Sequence, residues 1–319
     1  MEIVAPGSGG GWGKQFSGRR GPVLVTGISG FLGGHVATRL VAEGYEVVGL
    51  SHSQPPAPDR AALCSQVFVG DLRDREVVDQ ACGEVIGVCH LAAYVPADHS
   101  DPAEASECME VNALATLELA RSAIRHGVQR FVFASAGNAY VPAGKPVDEG
   151  HQVWPVGHGA WYLTSKLAAE LYIERLGRTT ALSPVILRIS SPYGPGATRG
   201  VVADFIARAR RGEQLEVFDG GLGRADFVHA ADVAFCVAAG LATGGSGTYN
   251  VGSGRATTIR ELAYEVAAAS GATIAPRVLP ATTSSRPNFV PLNVAKAAEA
   301  WGFAPMSVAA GLRTFVALP

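Results

Sequence analysis

The chain has 319 residues, 48% of them apolar and 17% charged, with a formal net charge of −2. That is enough for one large α/β domain with a smaller lobe and a compact core. The near-neutral balance gives no electrostatic basis for nucleic acid or a membrane as partner, and no apolar run reaches the length of a membrane span.

Residues 1–21 read as a leader outside the fold. Pro6 to Gly11 has flexible composition, and no apolar segment follows a basic start, so a secretory signal is not expected. From Pro22 onward, strand and helix patterns alternate. Val23–Thr26 reads as a buried strand, followed by glycines at 27, 30 and 33 and a helix ending near Gly44. Strands are expected at 46–50, 67–69, 85–90, 130–135 and 184–189. Helices are expected at 73–82, 105–126 and 161–176. Beyond Pro192 the pattern loosens: helices at 201–211, 232–241 and 258–270, a strand at 215–218 before a glycine-rich turn, a strand at 248–251, and two short helices at 294–301 and 308–316. Such alternation implies a doubly wound, Rossmann-type parallel sheet with helices on both faces. We expect residues 22–191 to form that domain and 192–319 mostly a substrate-binding lobe, with segments returning to the sheet.

The five cysteines (Cys64, Cys82, Cys89, Cys108, Cys236) are scattered without a C-x-x-C pair. That points to reduced, mostly buried thiols in a cytoplasmic protein, and Cys89, inside an apolar run, reads as core. No metal site is expected.

Two features carry chemistry. A strand, a turn with glycines three apart and a helix start let backbone approach a pyrophosphate and aim helix N–H groups at it. The alternative is a glycine turn that only packs a helix onto a sheet. Tyr162 and Lys166 lie four apart on an expected helix, so both side chains share one face. An ammonium near a phenol favours the phenolate and makes the tyrosine a usable acid/base for alcohol–ketone conversion. Alone, such a pair is common by chance; here it follows a dinucleotide turn.

Thr26-Gly-Ile-Ser-Gly-Phe-Leu-Gly33, Gly70-Asp71-Leu72, His90-Leu-Ala-Ala93, Val111-Asn112-Ala113, Ser135 with Tyr162 and Lys166, Arg188-Ile-Ser-Ser-Pro-Tyr-Gly-Pro-Gly196, Asp226 to Asp232 and Tyr249 to Gly254 stand in one order. In these motifs, from about Pro22 to the C-terminus, the chain resembles the extended short-chain dehydrogenase/reductases, and among them the NAD-dependent epimerase/dehydratase group that acts on nucleotide sugars. The resemblance implies that Gly27, Gly30, Phe31, Leu32 and Gly33 hold the pyrophosphate of NAD or NADP, with NAD slightly favoured. It implies that Asp71 contacts adenine, that Leu72 and Leu91, Ala92 and Ala93 lie along the cofactor, and that Asn112 supports the active site. Ser135, Tyr162 and Lys166 are the implied catalytic set, with Tyr162 and Lys166 also at the cofactor and Lys166 holding its nicotinamide ribose. Ser191, Arg224 and Arg286 are the implied substrate contacts. It also implies a homodimer through the helix that begins at Trp161.

The departures matter. Ser51 and His52 stand where an acidic residue usually selects NAD, and no arginine stands there either; both are expected at the cofactor, where they could hydrogen-bond NAD or NADP, unless His52 is only a solvated loop histidine. A serine usually lies four before the next tyrosine; counting back from Tyr140 reaches Ala136, with Ser135 one further. The acidic pair of the dehydratases is replaced by Ala136 and Gly137, which argues against a 4,6-dehydratase. Asp232 reads as the N-cap of its helix, and His158 as a pocket residue or a solvated one. The leading expectation is a nucleotide-sugar epimerase that oxidises a hydroxyl and reduces the ketone again. The alternatives are an NADPH-dependent ketoreductase and a dinucleotide sensor without turnover.

Overall fold

Short runs of valine, leucine and phenylalanine, buried on both faces, build the central sheet. The computed structural model describes residues 20–99, 101–155, 159–243, 245–281 and 289–316. The central strands are β1 (Arg20–Thr26), β2 (Tyr45–Ser51), β3 (Gln66–Val69), β4 (Gly87–His90), β5 (Arg130–Ala136) and β6 (Ser183–Ile189). Three short strands of the lobe follow, β7 (Ser191–Tyr193), β8 (Glu216–Val217) and β9 (Arg224–His229), before β10 (Gly247–Val251) returns to the main sheet. Its order is β10-β6-β5-β4-β1-β2-β3, parallel at every pairing. The order reverses beside β1, which opens a crevice between the C-terminal ends of β1 and β4.

The helices in chain order are α1 (Phe31–Ala42), α2 (Pro58–Ala61), α3 (Arg75–Cys82), α4 (Glu104–Met109), α5 (Ala115–Arg125), α6 (Ala160–Thr179), α7 (Val201–Arg210), α8 (Ala230–Ala242), α9 (Ile259–Ser270), α10 (Ala295–Trp301) and α11 (Val308–Val316). Successive strand residues face opposite sides. Val23, Val25, Val132 and Val185 therefore pack with α1, α8 and Trp301, while Leu24, Phe131, Phe133 and Ile186 pack with α3, α5 and α6. Cys89 lies in the first of these cores. The lobe has its own core, with β7, β9 and β11 (Ala256–Thr258) in one small sheet and β8 paired with β12 (Arg277–Val278).

Several elements differ from the sequence-based expectation. β1 starts at Arg20, whose guanidinium pairs with Glu43 at 3.3 Å and lies 4.6 Å over the Tyr45 ring. The helix expected over 105–126 is interrupted by a π-type turn at Glu110–Leu114. Neither α2 nor β7 was anticipated, since both are too short to show a period.

The glycine turn is sterically determined. Gly27 has φ +70°, and a Cβ on it would stand 2.9 Å from the Ala92 nitrogen. A Cβ on Gly33 would stand 2.2 Å from the Gly27 carbonyl oxygen. Gly33→Ala must force α1 away from the turn. A loss of about 1–3 kcal/mol is expected, read as a denaturation midpoint several degrees lower.

Candidate active site

The crevice beside β1 is floored by a hydrogen-bonded chain. Thr26 Oγ1 accepts from the Leu91 and Ala92 N–H groups, each at 3.2 Å. With its lone pairs so used, its proton goes to His90 Nδ1 at 2.7 Å. His90 Nε2–H is then left to donate to Thr116 Oγ1, also at 2.7 Å. Burial pushes His90 far below the usual histidine range, which keeps the ring neutral and this tautomer fixed. The Leu91–Ala93 backbone is thereby held against Gly27. Gly30 caps α1 without a side-chain acceptor, so the first α1 N–H groups remain for a ligand.

A cleft of about 280 Å³ opens above this floor, lined by Gly27, Gly30, His52, Asp71, Leu72 and Ala92 among others. Asp71 is gripped by Arg73, with Nη2–Oδ2 at 2.7 Å and Nε–Oδ1 at 3.0 Å, and this holds its carboxyl well below the usual range. The same guanidinium reaches Glu107 and Glu110. Ser51 is buried and donates to Gln54 O at 2.5 Å, within 3.0 Å of Ser29 Oγ. His52 is exposed, 3.2 Å from Asp71. Sequence reasoning missed Arg60, which α2 delivers to the Ser29 and Gly30 carbonyls. Residues 52–59, a loop and the start of a short helix, lie between it and β2, and no periodic signal marks where it points.

The Tyr162 face of α6 holds three functional side chains one turn apart: Tyr162, Lys166 and Glu170. Tyr162 packs against Ala136, Ala139 and Leu163, and burial pushes its hydroxyl up to about 12. Lys166 is buried with Nζ 4.2 Å above the Phe133 ring. Burial draws its ammonium down to about 7, opposed by the Glu170 charge. Glu170 forms a buried ion pair with Arg188, Nη2–Oε2 at 2.7 Å. Arg188 also donates to the Tyr140 hydroxyl at 2.9 Å, and that hydroxyl donates to Asn250 Oδ1 at 2.7 Å.

Ser135, expected in the catalytic set, makes its side-chain hydrogen bond one turn beyond Lys166 on α6. Its Oγ donates to Glu170 Oε1, inside the ion-pair network. Ala136, four before Tyr140, shares an apolar cluster with Tyr162. Asn112 sits on the π-type turn with no exposed surface and clamps both sides of Tyr94, accepting from its N–H at 2.7 Å and donating to its carbonyl at 2.9 Å. It also donates to Ser165 Oγ, which donates to the Tyr162 carbonyl.

Toward the lobe, Ser191 is partly buried on β7 and Arg224 is exposed at the start of β9. Beside Ser191, the buried Ser190 hydroxyl has no partner among the described residues. Arg286 and His158 lie outside the described residues. Asp226 is buried and accepts from Ser253, Gly254 and Leu292, so it anchors a turn. Asp232 is not the N-cap: His229 is, accepting from Ala231 N–H, while Asp232 in the first turn accepts from Met306 N–H at 2.9 Å. Burial raises Asp232 to about 6.

Residues 23–252 match the model of the NAD dependent epimerase/dehydratase family. The chain belongs to that family. It is 30% identical over 274 residues to a UDP-glucose 4-epimerase of Mycolicibacterium smegmatis, covering 81% of this chain and 85% of the relative. Among solved structures it is similar to the Thermotoga maritima UDP-glucose 4-epimerase with UDP-glucose (TM-score 0.82, 27% identity, 92% of this chain and 97% of the other). It is likewise similar to the Thermus thermophilus UDP-glucose 4-epimerase complex with NAD (TM-score 0.80, 33% identity, the same coverage).

The chain is therefore an enzyme of the extended short-chain dehydrogenase/reductase type, in an NAD-dependent family. The site fits that cofactor: side chains are sterically excluded at Gly27 and Gly33, the α1 N-terminus lacks a cap, and a cleft follows. Among the described residues no helix is long and apolar enough to cross a membrane.

Lys166 is a charge held out of water, so it destabilises the folded chain. Its folded pKa, about 7, lies below the usual value of 10.5, so the unfolded chain binds the extra proton between them. The penalty is complete below about pH 7 and fades as pH rises toward 10.5. Lys166→Met should melt higher than wild type at about pH 6.5, with the gap closing by about pH 10, while losing activity. A constant gap across that range would assign the gain to packing instead.

Proposed function

We propose that this enzyme epimerises a nucleotide-linked sugar by transient oxidation of one hydroxyl. What supports this is that Tyr162 and the buried Lys166 share one face of α6, with Lys166 against Phe133 of β5, in a chain that also carries the glycine turn and its cleft. Similarity to UDP-glucose 4-epimerases, one solved with UDP-glucose, makes a UDP-hexose the substrate class to test first.

When bound, NAD would supply the hydride acceptor and a positive charge. That charge favours the phenolate and opposes the burial that raises Tyr162 in the free chain. Tyr162 takes the hydroxyl proton as the carbon–hydrogen bond breaks and the ketone forms. Once the ketone has turned over and is reduced again on its other face, Tyr162 would return the proton to the oxygen. Lys166 holds the negative phenolate and the orientation of α6. Ser191, Arg224 and Arg286 are proposed for the nucleotide-sugar end.

In this reading Ser135 is a positioning residue that acts through Glu170. Ala136, which shares an apolar cluster with Tyr162, offers no hydroxyl there. That observation favours a second reading, a ketoreductase working with Tyr162 alone. Tightly retained NAD⁺ supports the epimerase, and consumption of reduced dinucleotide with a keto-sugar supports the reductase. A homodimer through α5 and α6 is also proposed, supported by exposed Leu114, Leu171 and Tyr172. All five cysteines are free, which suits a reducing cytoplasm.

Tyr162→Phe should cut UDP-hexose turnover by about 100-fold or more with the fold intact by circular dichroism. Ser135→Ala should cost about 1–3 kcal/mol of stability and change kcat far less. Ala136→Ser should raise kcat, since a donor aimed at developing charge is worth about 100-fold at best. If Ser135→Ala falls as far as Tyr162→Phe, the positioning role is refuted. In sedimentation, Leu171→Arg should shift the enzyme from dimer to monomer; a wild type that runs as a monomer ends that proposal.

A further inference from the structure

The tip of β2 is where a dinucleotide fold chooses between a ribose 2′-hydroxyl and a 2′-phosphate: an acidic side chain accepts the former and repels the latter, and a nearby arginine accommodates the latter. In this chain the acid is replaced by Ser51, whose hydroxyl is turned inward to Gln54 O and Ser29 Oγ. In sequence no arginine stands near. In the structure one does, because the loop after β2 folds back and α2 returns Arg60 to the glycine turn.

Arg60 Nη1 donates to the Ser29 carbonyl and, at 2.7 Å, to the Gly30 carbonyl. Ser29 is also the residue that Ser51 touches, so guanidinium, β2 tip and turn converge on one residue. The rest of the guanidinium lies over Gly34 and toward Gly196, glycines that leave it room: a Cβ on Gly34 would stand 3.0 Å from Nε, and one on Gly196 would stand 3.6 Å from Nη2.

Its charge is balanced differently from that of its neighbour. Arg73, across the cleft, is saturated by Asp71, Glu107 and Glu110. Arg60 is held by neutral carbonyls, and no described carboxylate pairs with it. A guanidinium anchored on one edge, with donors left over, matches phosphate geometry.

We propose that Arg60 is the specificity-determining cation of the adenosine end: with Ser51 in place of an acid, it accepts a 2′-phosphate, so the enzyme binds NADP(H) as well as NAD(H). This rests on the dinucleotide reading of the cleft but not on epimerisation. The test is therefore binding by calorimetry, with NAD⁺, NADP⁺, ADP and adenosine 2′,5′-bisphosphate as probes.

Wild type should bind NADP⁺ within roughly tenfold of NAD⁺, since a charge-assisted contact replaces the missing acid. Arg60→Ala should weaken NADP⁺ and the bisphosphate by about tenfold or more and NAD⁺ and ADP by less than about threefold. Ser51→Asp, with Arg60 intact, should lose NADP⁺ and keep NAD⁺. Equal weakening of all four probes by Arg60→Ala would place the guanidinium on the shared pyrophosphate and overturn the proposal. So would failure of NADP⁺ to bind a wild type that binds NAD⁺. If neither dinucleotide binds, the cleft reading fails and takes this inference with it.

Discussion

The Glu170–Arg188 ion pair determines where the chemistry can sit. Two charges removed from water cost several kcal/mol each unless their remaining hydrogen-bonding capacity is met. Here it is met from four directions: Ser135 from β5, the Tyr140 hydroxyl, the Glu149 carbonyl, and the two-pronged fit of guanidinium to carboxylate. None of these partners can shift alone without leaving a buried charge in apolar surroundings. The pair therefore locks α6 in rotation and height against β5 and β6. Lys166 and Tyr162, one and two turns back along the same face, inherit their positions from it. Through Tyr140 and Asn250 the lock extends to β10, to Val147 and to Asn293, which carry the wall facing the lobe.

Lys166 shows what that rigidity sustains. An ammonium under the sheet edge keeps its proton poorly, and the Phe133 ring and the Glu170 charge offset only part of the desolvation. A lysine so placed is sensitive to any charge that appears nearby, which is what acid/base work at a hydroxyl requires. The neutral His90 behind Phe133 completes the arrangement: a charged imidazole there would repel Lys166, burial keeps the ring neutral, and the Thr26–His90–Thr116 chain sets its tautomer.

Much of this was legible in the chain. Apolar runs, helical spacing and glycine intervals marked the sheet, its helices and the turn, because these are repeated local signals. The Tyr162–Lys166 pair followed from helical geometry. The bond from Ser135 to Glu170 has a reason that the strand itself contains. Residues two apart share a face, so Ser135 lies with Phe131 and Phe133 toward α6, and a shift of one residue in β5 exchanges core for site. Glu170, two turns beyond Tyr162, was available to the same reasoning. Asp232 was misjudged because a histidine at the preceding turn can cap a helix with its ring nitrogen, a competitor that helix-start patterns do not weigh.

Arg60 belongs to another kind of illegibility. Its position depends on the path of an irregular loop, Ser53–Ala57, whose two prolines at 55 and 56 stiffen the approach to α2 without encoding a period. Charge at the two sides of the cleft was then settled by tertiary structure rather than composition. Arg73 is spent on three carboxylates, while Arg60 is spent on peptide carbonyls, which hold a cation in place without neutralising it. A net charge near zero for the whole chain thus coexists with an unneutralised guanidinium at the glycine turn, and the local balance governs which anion can settle there.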